Sequence, residues 1–130
     1  IERGLVVLAA VHADDTEADI AWTAGKLLTL RIFPNGDKHF DVDVQAAGGG
    51  LLVVSNFTVA AETAKGRRPS LNAAAGPDRG RELFDALLNH LRATGVTVAT
   101  GVFGADMRVL LENDGPATFV VDSRGARAGK

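Results

Sequence analysis

The chain has 130 residues, enough for one domain with a core of its own. Its 46% hydrophobic and 23% charged content is ordinary for a globular protein, and a formal net charge of -2 excludes a global positive field that would draw in nucleic acid. Cysteine is absent, which excludes disulfides, thiolate catalysis and cysteine metal sites.

Gly4 to Val11 is an unbroken apolar run and reads as a strand buried on both faces. Thr16 with Asp19 forms a capping-box-like start to a helix, and Ile20, Ala24, Leu27 and Leu28 share one of its faces. This helix should end near Leu30, before the turn signal Pro34-Asn35-Gly36-Asp37. Phe40, Val42 and Val44 alternate with Asp41, Asp43 and Gln45, the pattern of a half-exposed strand. After the flexible turn Gly48-Gly49-Gly50, Leu51 to Phe57 reads as a second buried strand. Residues 62–76 show no periodicity and form a long basic loop holding Lys65, Arg67 and Arg68. A second helix begins at Gly76-Pro77-Asp78, carries the stripe Leu83, Phe84, Leu87, Leu88 and Leu91, and stops at Gly95. Val96 to Phe103, Met107 to Glu112 and Ala117 to Val121 are expected to be three further strands. The domain should span residues 1–121, followed by a polar, flexible tail over 122–130. The order of elements predicts a mixed α/β fold in which two helices cover a largely β body. No apolar run approaches the roughly 20 residues needed to span a membrane. No signal peptide opens the chain, and a cytoplasmic protein is expected.

Two strings stand apart. In Ser55-Asn56-Phe57-Thr58 hydroxyls and backbone donors gather where a buried strand emerges. A hydroxyl nucleophile needs a base held by a third group. His12, just past a strand, His39, beside a turn, and His90, on a helix, each have a structural explanation, so a Ser-His-Asp hydrolase is not expected. Ser55 and Thr58 can serve simply as strand-end hydroxyls that satisfy backbone groups. The functional alternative is that N–H groups at this bend act as oxyanion donors, which requires no base. The second string is Asn113-Asp114-Gly115-Pro116-Ala117-Thr118. Gly-Pro alone is a common turn dipeptide with an ordinarily trans bond. Asp41 and Asp43 read as the wet face of a strand, and no metal site or cofactor is expected.

Together the strings resemble the signature of the D-aminoacyl-tRNA deacylases, the second fitting the pattern Asn-x-Gly-Pro-x-Thr. Segments in the family's order extend the resemblance from Ile1 to Val121. They are Gly4-Leu5-Val6-Val7-Leu8, Arg31-Ile32-Phe33, Val44-Gln45-Ala46-Ala47-Gly48-Gly49, Gly66-Arg67-Arg68-Pro69-Ser70 and Phe103-Gly104-Ala105-Asp106-Met107. The resemblance implies largely antiparallel, barrel-like sheets covered by two helices. It also implies a homodimer that hydrolyses the ester joining a D-amino acid, or mischarged glycine, to the 3′ end of tRNA. A cis Gly115-Pro116 peptide would enter the partner's active site and exclude L side chains with its main chain, a rejection by shape. The main chain of Ser55, Phe57 and Thr58 would hold the scissile carbonyl, helped more by the terminal 2′-hydroxyl of the tRNA than by a protein base. Asn56, Phe103, Ala105, Met107, Asn113, Gly115, Pro116 and Thr118 would line the substrate site, with Phe103, Ala105 and Met107 equally readable as core. Lys65, Arg67, Arg68, Arg79 and Arg81 would meet tRNA phosphates, aided by a helix N-terminus.

This chain has Asn56 where the family has Gln and Ala117 where Val or Ile is usual, implying a rearranged side-chain role and looser packing behind Pro116. The family's N-terminal strands, with an arginine bracing the Gly-Pro loop, have no counterpart before Ile1. A sheet edge is therefore expected to be exposed, and a chain carrying those strands to be more stable or more active. Two other functions compete. One is a nucleic-acid-binding or scaffold dimer that keeps the fold without turnover. The other is a small-molecule esterase acting on D-amino esters and indifferent to a 2′-hydroxyl.

Overall fold

Three apolar strands form the central sheet of the computed structural model, which describes residues 1–129. They are β1 (Gly4–Ala9), β4 (Gly50–Ser55) and β5 (Val98–Thr100), all parallel, in the order β1-β4-β5. Between them come α1 (Glu17–Thr29), the hairpin β2 (Phe33–Asn35) and β3 (Lys38–Val42), a 3₁₀ turn (Phe57–Ala60) and α2 (Pro77–Arg92). A third helix, α3 (Ser123–Gly129), closes the described chain.

β1 and β4 begin opposite each other at Gly4 and Gly50 and run in register to Ala9 and Ser55. Glycine is required at the first pair. Gly4 has φ +151°, and a Cβ there would lie 1.8 Å from the Gly50 carbonyl oxygen. Along β4 the side chains alternate. Leu51 and Val53 are fully buried and join Ile20, Ala24, Leu27 and Leu28 of α1 with Leu83, Phe84, Leu87, Leu88 and Leu91 of α2 in one core. Leu52 and Val54 line a groove with Met107, Arg108, Val109 and Leu110, so the segment after β5 lies beside the sheet. The helices form where the sequence predicts because each carries an apolar stripe at helical spacing. The Asp19 carboxylate accepts from the Thr16 amide at 2.8 Å, and Pro77 opens α2.

The hairpin pairs Phe33 with Val42 and Asn35 with Lys38, with an irregularity between them, and turns through Gly36 at φ +62°. Phe33 is buried in the core, and Asp41 accepts from Arg31 at 3.0 Å and from Asn35 at 2.9 Å. Asp41 is thus a brace of the hairpin. The expected unstructured loop is pinched at its base, where Glu62 and Ser70 exchange two backbone bonds of 2.9 and 2.8 Å. Ala13 and Ala75 attach its return limb to the end of β1.

Several expectations are corrected. The three-stranded sheet is parallel, β2-β3 is the antiparallel pair among the named strands, with isolated antiparallel bridges at His12–Ala74 and Glu62–Ser70, and among the described residues the small sheets do not close into a barrel. Met107–Glu112 and Ala117–Val121 are not strands. Their composition suits a strand, but no backbone–backbone hydrogen bond ties residues 106–121 to the rest of the chain among the described residues. A strand requires a partner edge as well as a pattern. Among the described residues three α-helices are present rather than two, the third being Ser123–Gly129, within the stretch expected as a tail. Arg127 explains that difference. It reaches Asp14 at 3.7 Å, Asp15 at 3.1 Å and Asp19 at 2.8 Å, tying α3 to the start of α1. Lys130 lies outside the described residues.

Candidate active site

Ser55 ends β4, and the next amide, Asn56 N–H, donates to the Ala9 carbonyl at 2.8 Å, extending the β1-β4 register by one step. The chain then bends into the 3₁₀ turn. Asn56 caps it, its Oδ1 accepting from the Thr58 amide at 3.3 Å and from the Thr58 hydroxyl. The side chain of Asn56 is therefore folded back on its own turn. The Phe57 N–H donates to no partner among the described residues, and its ring is more than half exposed. The bend thus presents one uncommitted amide and one weakly held amide beside two hydroxyls. That set can polarise a carbonyl oxygen.

The second string forms a loop closed on itself. Asn113 Oδ1 accepts from the Ala117 amide at 3.2 Å, and Asn113 Nδ2 donates to Thr118 Oγ1 at 3.0 Å. The Gly115-Pro116 peptide is cis. Gly115 has φ +146°, and a Cβ on it would stand 2.8 Å from the Ala117 nitrogen and 3.1 Å from the Ala117 Cβ. Only glycine fits this crowded turn. Asn113, Gly115, Pro116, Ala117 and Thr118 are therefore brought together, but no hydrogen bond links them to Ser55–Thr58 within the chain.

Phe103 is held by other side chains. The Arg81 guanidinium lies 4.9 Å from its ring centroid, and the Phe84 ring 5.8 Å away. Met107 packs onto the backbone at Gly101, where a Cβ would come 2.4 Å from its sulfur. Ala105 is exposed on a turn whose amide donates to Val102. Of the five expected phosphate contacts, Arg79 pairs with Glu82 at 3.0 Å and Arg81 stacks on Phe103. Lys65, Arg67 and Arg68 line a shallow concavity at the loop tip with Gly66, and make no salt bridge among the described residues. No histidine hydrogen-bonds Ser55 or Thr58, and among the described residues no group of three His, Cys, Asp or Glu side chains could hold a metal ion.

Besides the Arg81–Phe103 contact, two further features are not predicted from the sequence. One is the carboxylate cluster on Arg127, where burial raises the Asp19 pKa but hydrogen bonds from the Thr16 amide and Ser123, with the Arg127 charge, bring it below the ordinary 3.8. Beside it, the Arg124 side chain donates to Asp122 and holds that carboxyl at about 2. The other is the edge-to-face contact of Phe40 with Phe119, centroids 5.5 Å apart. The only available signal was aromatic content, which does not pair residues distant in sequence.

A parallel sheet ending in a polar bend, with a separate self-closed Gly-Pro loop, defines a class of fold and site. Residues 1–122 match the family model for D-Tyr-tRNA(Tyr) deacylase, and the chain belongs to that family. A D-aminoacyl-tRNA deacylase of Geobacter metallireducens is 47% identical over 129 residues, covering 99% of this chain and 85% of its own. One from Methylococcus capsulatus is 47% identical over 93% of this chain and 79% of its own. Among solved structures, the c-Myc DNA Unwinding Element Binding Protein superposes with a TM-score of 0.83 at 31% identity, covering 88% of this chain and 78% of that one. A probable eukaryotic D-amino acid tRNA deacylase shares the fold, with a TM-score of 0.70 at 19% identity over 80% and 76%.

Proposed function

We propose that this chain hydrolyses the ester of D-aminoacyl-tRNA, releasing free D-amino acid and tRNA, and removes mischarged glycine in the same way. Water adds to the ester carbonyl, the amides of Phe57 and Thr58 stabilise the developing oxyanion, and the ribose 3′-oxygen leaves with a proton. The terminal 2′-hydroxyl of the tRNA assists, and no protein base is used. The Gly115-Pro116 main chain rejects L side chains by occupying their space. The observation that carries this reading is the pairing of the two motif geometries, an amide-bearing bend at Phe57 and a glycine-only loop at Gly115, in a chain of this family.

The two strings make no hydrogen bond to each other in one chain, which favours a homodimer in which each subunit's loop serves its partner's bend. Exposed apolar side chains support it: Leu110 and Val120 are 86% and 93% exposed, and Phe57 and Val59 stand out beside the bend. Lys65, Arg67 and Arg68 are free to meet phosphate, while Arg79 and Arg81 must first leave Glu82 and Phe103. No helix among the described residues is long and apolar enough to cross a membrane.

The likeness to a DNA-unwinding-element binding protein supports a second reading, nucleic-acid binding without turnover. The test is release of D-tyrosine from D-Tyr-tRNA and from the same tRNA ending in 2′-deoxyadenosine. The proposal predicts turnover of the first and its loss in the second. Equal hydrolysis of both would leave a simple esterase, and hydrolysis of neither a binding module.

A further inference from the structure

The loop carrying Gly115 is not part of a sheet: residues 106–121 make no backbone–backbone hydrogen bond to the body among the described residues. Asn113 closes the loop on itself through Ala117 and Thr118, fixing its shape but not its place on the protein. The next residue, Phe119, meets Phe40 with centroids 5.5 Å apart and planes at 80°. Phe40 stands on firm ground. Its neighbour Asp41 is held by Arg31 and Asn35, and its strand pairs with β2, whose Phe33 is in the core. A contiguous set of contacts therefore runs from the core through Phe33, β3, Phe40 and Phe119 to Thr118 and the Gly115-Pro116 turn.

We infer that Phe40 is a positioning residue for D/L selectivity, acting through Phe119 on the Gly115-Pro116 loop. This rests on the proposed role of that loop in rejecting L-aminoacyl esters. An edge-to-face pair is worth enough to change the population of a placed loop about two- to tenfold. Phe40 is 59% and Phe119 48% exposed, and neither belongs to the buried core, so removing one opens no core cavity.

The test compares kcat/KM for D-Tyr-tRNA and L-Tyr-tRNA in the wild type, Phe40→Ala, Phe119→Ala, the double variant and Phe40→Tyr. Amide exchange at Ala117 and Thr118 is followed alongside as the direct measure of loop order. Phe40→Ala is expected to lower the D/L ratio about two- to tenfold and to speed exchange at those amides. The double variant should be no worse than either single one, and Phe40→Tyr, which keeps the ring, should restore both readouts. An unchanged D/L ratio in Phe40→Ala overturns the inference, whether or not the loop loosens. In that case Gly115→Ala separates the two levels. If it relaxes selectivity, the role of the loop stands and only the brace fails; if it too changes nothing, both fail.

Discussion

Gly115 carries the sharpest consequence at the residue scale. Its φ of +146° is disfavoured for any other residue, and a Cβ would press on the Ala117 nitrogen at 2.8 Å. Backbone strain of this kind costs about 1–3 kcal/mol. In a Gly115→Ala variant that strain would be relieved by moving the carbonyls that flank Pro116. Gly115→Ala is therefore expected to lower the D/L ratio of kcat/KM by about tenfold or more, as about 1.4 kcal/mol corresponds to each factor of ten. The loop makes no backbone bond to the body, so the urea midpoint should move little. A fall in midpoint as large as the fall in selectivity would mean that Gly115 serves folding instead. Asn56 shows the limit of reading a residue from its type. Its chemistry suggests a ligand, but one side-chain length decides that its oxygen reaches Thr58 and closes the turn.

At the scale of elements, α3 is a polar helix held by charge. Asp19 and Asp122 both have pKa values below the ordinary 3.8, Asp122 at about 2, so each favours the folded state while ionised. The sign follows: this stabilisation is complete above about pH 4 and is lost as pH falls towards 2. Arg127→Ala should cost about 1 kcal/mol at pH 7, a modest figure because the arginine is half exposed. It should also flatten the decline of the urea midpoint as pH falls from about 4 towards 2. A variant with the wild-type pH dependence would show that Arg127 does not hold the cluster. Helices α1 and α2 are legible in the sequence because Ile20, Ala24, Leu27 and Leu28, and Leu83, Leu87 and Leu91, repeat at the helical period. Met107–Glu112 and Ala117–Val121 have the composition of strands, but composition does not show whether a partner edge is in reach. Ser123–Gly129 carries no apolar stripe, and its anchor is an arginine on carboxylates remote in sequence.

At the scale of the whole molecule, the two motifs were legible as strings and their local geometry follows from short-range rules. Asn56 caps a turn two residues on, and Asn113 bonds four and five residues on. The relation between the strings was not legible from spacing, because no bond joins them within one chain. Phe40 with Phe119 and Arg81 with Phe103 were likewise hidden, since each pairs residues from separate elements. In the proposed function an ester-polarising bend and a main-chain gate together select the D configuration. The most direct test is to incubate the protein with D-Tyr-tRNA and L-Tyr-tRNA in parallel and follow the release of tyrosine. Release from the D-ester alone is expected, and comparable release from both esters, or from neither, would overturn the proposed function.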